Sequence, residues 1–379
     1  LIRRELLLLV INRKIEFIPS WTMGFFNVET ARKLLGEKNI PDDIEPEEAY
    51  KFGPTSLENR EKNIRYAEIL DNFAIGVGKG GNFSFGHGGP GEFRERLIEK
   101  GENYIITEYE TGVKKRVNSN PYFYYYFDYP LMDLDRLDCL ILPDPGDSKR
   151  YEGIQDDVEF YKSKGFFTYA NLNGFFSAMH YFFYPYDKLF EDMILNKKGV
   201  ISLANLIGNF NLEVAENLLK CGVDCITFCE DLGSGQGLLF NPKLYEEIFW
   251  PWHKKLADLC HSYDAFLHMH SHGNIMKIFP KIIKAGIDMI NPLDPYEGMD
   301  LRLLKREYGR KIVLVGGMHK FFFSWSKEEM ERYFISTINS MRENSAYIWM
   351  DNGGIPEDIT VDKFQFYLSI SKKYRYSEL

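Results

Sequence analysis

Eight short apolar runs, most of them followed by an amphipathic stretch, constrain this chain more than any other feature. IEFIPSWTM (15–23), DNFAIGVG (71–78), FFTYANLNG (166–174), DCITFCEDLG (224–233), AFLHMHSHG (265–273), DMINPLDP (288–295), KIVLVGGM (311–318) and AYIWMDNGG (346–354) read as strands, and most end in Gly, Asp or Pro. Helical patterns such as LEVAENLLKCG, IMKIFPKIIKAG and KEEMERYFISTINSMREN lie between them, the last with Ser326 as predicted N-cap and Glu329 three residues on. Strand–helix alternation predicts a parallel sheet, and eight strands predict closure into a (β/α)8 TIM barrel of the α/β class. An open doubly wound sheet is the alternative, but no G-x-G-x-x-G follows any run. A length of 379 residues suits one large closed domain over 1–379.

Residues 79–150 break the alternation. GKGGNFSFGHGGPGEF (78–93) reads as a glycine-rich loop with the freedom of a lid, and NYIITEYETGVKKRV with NPYFYYYF reads as a hairpin. The region therefore reads as an insertion that could cover the barrel mouth. The loop lacks G-K-[ST] and no helix follows directly, which argues against a phosphate cradle.

Several function classes are disfavoured. A net charge of −9 without a basic stripe argues against nucleic acid. Leu6 to Ile11 is too short an apolar run to span a bilayer, has no cleavage-like site, and reads as part of an N-terminal helix. Five cysteines form no disulfide framework, so a reducing cytoplasm is expected. Aromatics make up 16% of the chain; they suit a roomy pocket, and also an ordinary core.

Barrel enzymes carry their chemistry at the C-terminal ends of the strands. The polar residues gather there: Cys229, Glu230 and Asp231 after the fourth run, His270 and His272 at the fifth, Asn291 and Asp294 at the sixth, His319 after the seventh, Asp351 and Asn352 at the eighth. His270 and His272 alternate at strand spacing, so both imidazoles are expected on one face, where they can share a zinc ion. Glu230, Asp231, Cys229 or Asp351 would supply the third ligand. Glu230 and Asp231 also suit acid–base work, or else simply charge a helix N-terminus. His268 lies deeper and reads as a core histidine, and Cys221 and Cys225 read as packing residues.

The stretches EDLGSGQGLLFNPKLYEEIFWPWHKKL, HSHGN, KAGIDMINPLDPYEGMDLRLLKREYG and VLVGGMHK together resemble the uroporphyrinogen decarboxylase superfamily. Weaker echoes run through YPLMDLDRLDCLILPDPGDSKRYEG (129–153) and DNGGIPEDITVDKF (351–364). The resemblance implies a TIM barrel. It also implies either decarboxylation of a tetrapyrrole or zinc-assisted methyl transfer from a methylcorrinoid protein to a thiol. In the methyltransferase branch the His-x-Cys zinc pair falls on His270 and His272, and the distal cysteine falls near Gly353. In the decarboxylase branch the arginines that grip substrate carboxylates have no counterpart in IPSWTMGFF.

The expectation taken forward is a methyltransferase with a thiol or pterin acceptor, a methylcorrinoid donor and zinc. Glu230, Asp231 and His319 would be catalytic, Asn291, Asp294 and Asn352 would bind cofactor, and His270, His272, Glu230 and Cys229 would hold the metal. A decarboxylase-like enzyme acting on a tetrapyrrole or smaller acid, and a non-catalytic tetrapyrrole- or corrinoid-binding module, are the alternatives. A corrinoid protein is the expected partner, a homodimer is left open, and neither a membrane nor nucleic acid is expected.

Overall fold

A buried parallel strand needs apolar residues on both faces, because helices cover one side and the barrel lumen lies on the other. The apolar runs meet that demand. The computed structural model describes residues 2–25, 28–40, 56–78, 94–119, 122–343 and 346–376. Its strands are β1 (Ala74–Val77), β2 (Glu95–Lys100), β3 (Tyr104–Tyr109), β4 (Lys114–Ser119), β5 (Tyr122–Phe127), β6 (Phe167–Asn173), β7 (Cys225–Cys229), β8 (Gly233–Ser234), β9 (Gly237–Leu238), β10 (Phe266–His270), β11 (Met289–Asn291), β12 (Val313–Val315) and β13 (Tyr347–Ile348). Seven of them form a curled parallel sheet in the order β1-β6-β7-β10-β11-β12-β13.

The eighth stave is the first predicted run, and it closes the sheet through bridges rather than as a regular strand. Ser20 bridges Asn72 on one side and Trp349 on the other, both in parallel. Trp349 N–H donates to the Pro19 carbonyl at 2.9 Å, Trp21 N–H to the Trp349 carbonyl at 2.9 Å, and Phe73 N–H to the Ser20 carbonyl at 3.0 Å. Pro19 has no N–H to give, which keeps this stave short.

Helices flank the sheet where the amphipathic stretches predict them. Ser326 caps the helix Lys327–Arg342 in a capping box: its Oγ accepts from Glu329 N–H at 3.2 Å and the Glu329 carboxylate accepts from Ser326 N–H at 2.9 Å. The helix Arg3–Ile11 buries Leu7, Val10 and Ile11 against Phe73, Phe167, Cys225 and Met289, plugging the N-terminal end of the barrel. Among the described residues no helix is long and apolar enough to cross a membrane.

The insertion holds four antiparallel strands, β2-β3-β4-β5, not the two of a hairpin. The sequence hid β2 because ERLIEK is an exposed edge with no buried face to set an alternation. The sheet is anchored to the barrel, not free: Arg150 grips Glu110 with two hydrogen bonds (3.1 and 2.8 Å), and the Tyr126 ring lies 5.1 Å from that of Tyr181. The glycine-rich loop expected to act as a lid lies, over 79–93, outside the described residues.

Candidate metal centre at the barrel mouth

Strand register lays the lumen out in levels. At the base, Tyr169 pairs with Cys225 and Cys225 with Phe266, within an apolar cluster that includes Trp21, Val313 and Ile348. One level up, Asn171, Thr227, His268 and Met289 lie side by side; above them come Asn173, Cys229, His270 and Asn291. The lumen thus turns from apolar to polar toward its C-terminal end. His268 behaves as a core histidine: it is fully buried, 3.4 Å from the Thr227 hydroxyl, against the Trp21 ring, and burial pushes its pKa down to about 3.

At the mouth, one ligand atom each from Cys229, Asp231 and His270 lie within 4.8 Å of one another. His270 is 3% exposed and its Nε2 sits 3.6 Å from an Asp231 carboxylate oxygen. Burial drives the His270 imidazole toward its neutral form, the form that ligates a metal. Burial alone would raise the Asp231 carboxyl, but His270, His272 and the His272 N–H outweigh it and hold the group below its ordinary value. Asp231 keeps a third of its side-chain surface open to solvent, and its charge reaches His180, Tyr181 and Tyr186.

Two expected ligands lie outside this trio: His272 stands beside it and Glu230 turns away. The alternation that would have put His272 beside His270 stops at His270, the last residue of β10. The two rings meet edge to face, 4.9 Å between centroids at 79°, and His272 Nδ1 turns to Glu297 at 3.1 Å. Burial lowers the His272 pKa, but the Glu297 bond and the Asp231 charge more than reverse this, and Glu297 is held below its own ordinary value by the same pairing against its burial. Glu230 is fully buried and points away from the mouth. Its carboxylate accepts from the N–H groups of Phe175 (2.9 Å), Phe176 (2.8 Å) and Ser177 (3.4 Å), and lies 2.6 Å from His253 Nε2. With both oxygens engaged, neither a ligand nor a catalytic role at the mouth fits Glu230.

The remaining expected residues stand at the neighbouring strand ends, and Asn291 comes level with His270. Past Gly316 and Gly317, both at positive φ, the chain leaves the lumen, and His319 sits among Tyr296, Phe321 and Trp325 with its Nδ1 accepting from Phe321 N–H at 3.1 Å. That position sets the expected catalytic His319 in an aromatic nest apart from the Cys229–Asp231–His270 trio. Asn291 shares a level with His270 and its amide approaches the Met350 sulfur at 3.1 Å. Asp294 and Asn352 hold each other, Asn352 Nδ2 donating at 2.6 Å, and burial pushes the Asp294 carboxyl up. Sequence reasoning missed Asn171, Asn173, His180 and Glu297. The N-x-N spacing inside an apolar strand was the available signal for the first two; nothing local marks the others.

No curated protein sequence matches this one. Among solved structures, a methyltransferase from Methanosarcina mazei superimposes with a TM-score of 0.68 at 11% identity, covering 98% of this chain and 99% of its own. A B12-independent methionine synthase from Shewanella sp. W3-18-1, in complex with selenomethionine, gives 0.50 at 12% identity, covering 95% and 97%. At such identities the likeness is one of fold, and the fold is the TIM barrel. The model of the uroporphyrinogen decarboxylase (URO-D) family matches residues 121–374, more than half of the sequence, and this chain belongs to that family.

Proposed function

We propose that this chain is a methyltransferase that moves a methyl group from a methylcorrinoid protein to a small thiol or pterin acceptor, with zinc held at the barrel mouth. The observation that carries the reading is the convergence of the Cys229 thiol, the Asp231 carboxylate and the His270 imidazole from adjacent strand ends. One sulfur, one oxygen and one nitrogen donor is a set zinc accepts, and three protein ligands leave a position for a substrate atom. Zinc bound there would lower the pKa of the acceptor's S–H or N–H. The chain's residues do the rest. Burial presents His270 as a neutral donor, the His272–Glu297 pair fixes the turn beyond β10, and His180, Tyr181 and Tyr186 give the acceptor a largely aromatic wall that limits water. The descriptions of the two fold neighbours, a methyltransferase and a methionine synthase, are in keeping with this chemistry. Five cysteines outside any disulfide suit action in a reducing cytoplasm.

Decarboxylation of uroporphyrinogen is the weaker reading. That substrate carries eight carboxylates, whereas Asp231, Asp294 and Glu297 gather at these strand ends. The test has two parts. Elemental analysis should find about one zinc per chain, lost in His270→Ala and Asp231→Ala. Purified protein should transfer methyl from methylcobalamin to a member of a panel of thiols and tetrahydrofolate. Release of carbon dioxide from uroporphyrinogen without methyl transfer, or porphyrin binding by metal-free protein without turnover, would overturn the proposal.

A further inference from the structure

We infer that Glu230 and His253 are a buried positioning pair that sets the metal affinity of the mouth without touching the ion; the inference rests on the metal reading above. Cys229 and Asp231 flank Glu230, so whatever fixes Glu230 fixes both ligands. Its N–H donates to the His270 carbonyl at 2.9 Å, tying the turn to the third ligand's own strand. Its carboxylate binds the opposite wall, the N–H groups of Phe175 to Ser177, while the Cys229 carbonyl accepts from Gly174 N–H at 2.9 Å and Ser177 Oγ at 2.5 Å.

His253 braces this clamp from behind. In the tautomer whose Nε2–H donates to the Glu230 carboxylate, Nδ1 is the acceptor and the Tyr245 hydroxyl donates to it at 3.0 Å. Glu230, His253 and Tyr245 are all fully buried, so the chain of bonds is shielded from water and holds one geometry. Asp231 shows what the clamp must overcome. It sits at φ +48°, a left-handed conformation that strains a residue with a side chain and persists only where the surroundings over-determine it. Released from the clamp, the turn relaxes and the Asp231 oxygen leaves its place beside His270. Partners that orient metal ligands typically contribute 10–100-fold in affinity.

The experiment measures Zn2+ affinity by competition with a chromophoric chelator, and the Co2+ absorption spectrum, on the wild-type chain, Glu230→Gln and Tyr245→Phe, each checked for folding by circular dichroism. Folded Glu230→Gln should bind roughly 10–100-fold more weakly with an altered Co2+ spectrum, and Tyr245→Phe, which loses one hydroxyl, should show a smaller weakening. A purely structural role would lower the melting temperature and leave affinity and spectrum unchanged. Wild-type affinity in folded Glu230→Gln, or in Tyr245→Phe should the first variant not fold, overturns the inference while sparing the metal centre. A wild type that binds no metal overturns both.

Discussion

Asp351, just past the last barrel strand, is 1% exposed, and one carboxylate oxygen accepts from Met23 N–H at 2.7 Å. Burial pushes its pKa up to about 7, against about 3.9 in an unfolded chain. The folded state therefore holds this proton more tightly. Its contribution to stability is whole below about pH 4 and is lost as pH rises toward 7, a change on the order of 4 kcal/mol. Asp351→Asn keeps an acceptor for Met23 and never ionises, so between pH 5 and pH 8 its melting temperature should fall less than that of wild type. Parallel declines on thermal denaturation at the two pH values would refute the burial argument. The sequence placed Asp351 at a strand end; what it did not carry was how deep that end lies. The same gap explains Glu230, whose neighbours in sequence face the mouth while its own carboxylate faces a helix.

Strands were the most legible elements, since a buried parallel strand is a nearly continuous apolar run bounded by turn residues. The point at which strand pairing stops is set by neighbouring chains, not by local pattern. That is why AFLHMHSHG showed a strand but not that pairing ends at His270, leaving His272 to turn to Glu297. Gly273 marks the change of direction. It sits at φ +85°, and a Cβ there would overlap the backbone of Gly233 and Ser234 in the β8–β9 hairpin. Backbone cannot rotate aside as a flexible side chain can. Gly273→Ala should therefore combine left-handed strain with steric overlap and lower stability by at least about 2 kcal/mol, read from the midpoint of urea unfolding. A midpoint equal to that of wild type would mean that the hairpin moves freely away from β10.

At the scale of the molecule, alternation made the barrel legible, but not the contacts that close it, because these join residues far apart in sequence. Arg375, at the end of the last helix, is fully buried. Its guanidinium pairs with Asp71 just before β1, donates to the Ile18 carbonyl of the first stave at 3.1 Å, and reaches Ser371 Oγ at 3.1 Å. Asp71 also accepts from the Tyr376 hydroxyl at 3.1 Å, while its backbone carbonyl takes the Ser20 hydroxyl at 2.6 Å. One arginine thus joins the C-terminal helix to both sides of the seam where the sheet closes. Arg375→Met keeps most of the hydrocarbon volume but leaves the buried Asp71 carboxylate with the neutral Tyr376 hydroxyl and a longer contact to Arg3, at 3.5 Å. The expected cost is about 3–5 kcal/mol, mostly from the uncompensated carboxylate. Adding Asp71→Asn to Arg375→Met should then recover a large share, since the stranded charge is gone, and a double-mutant cycle in guanidinium chloride measures how much. Additive losses would show instead that the two residues stabilise the seam independently, and that closure rests on the backbone bridges at Ser20.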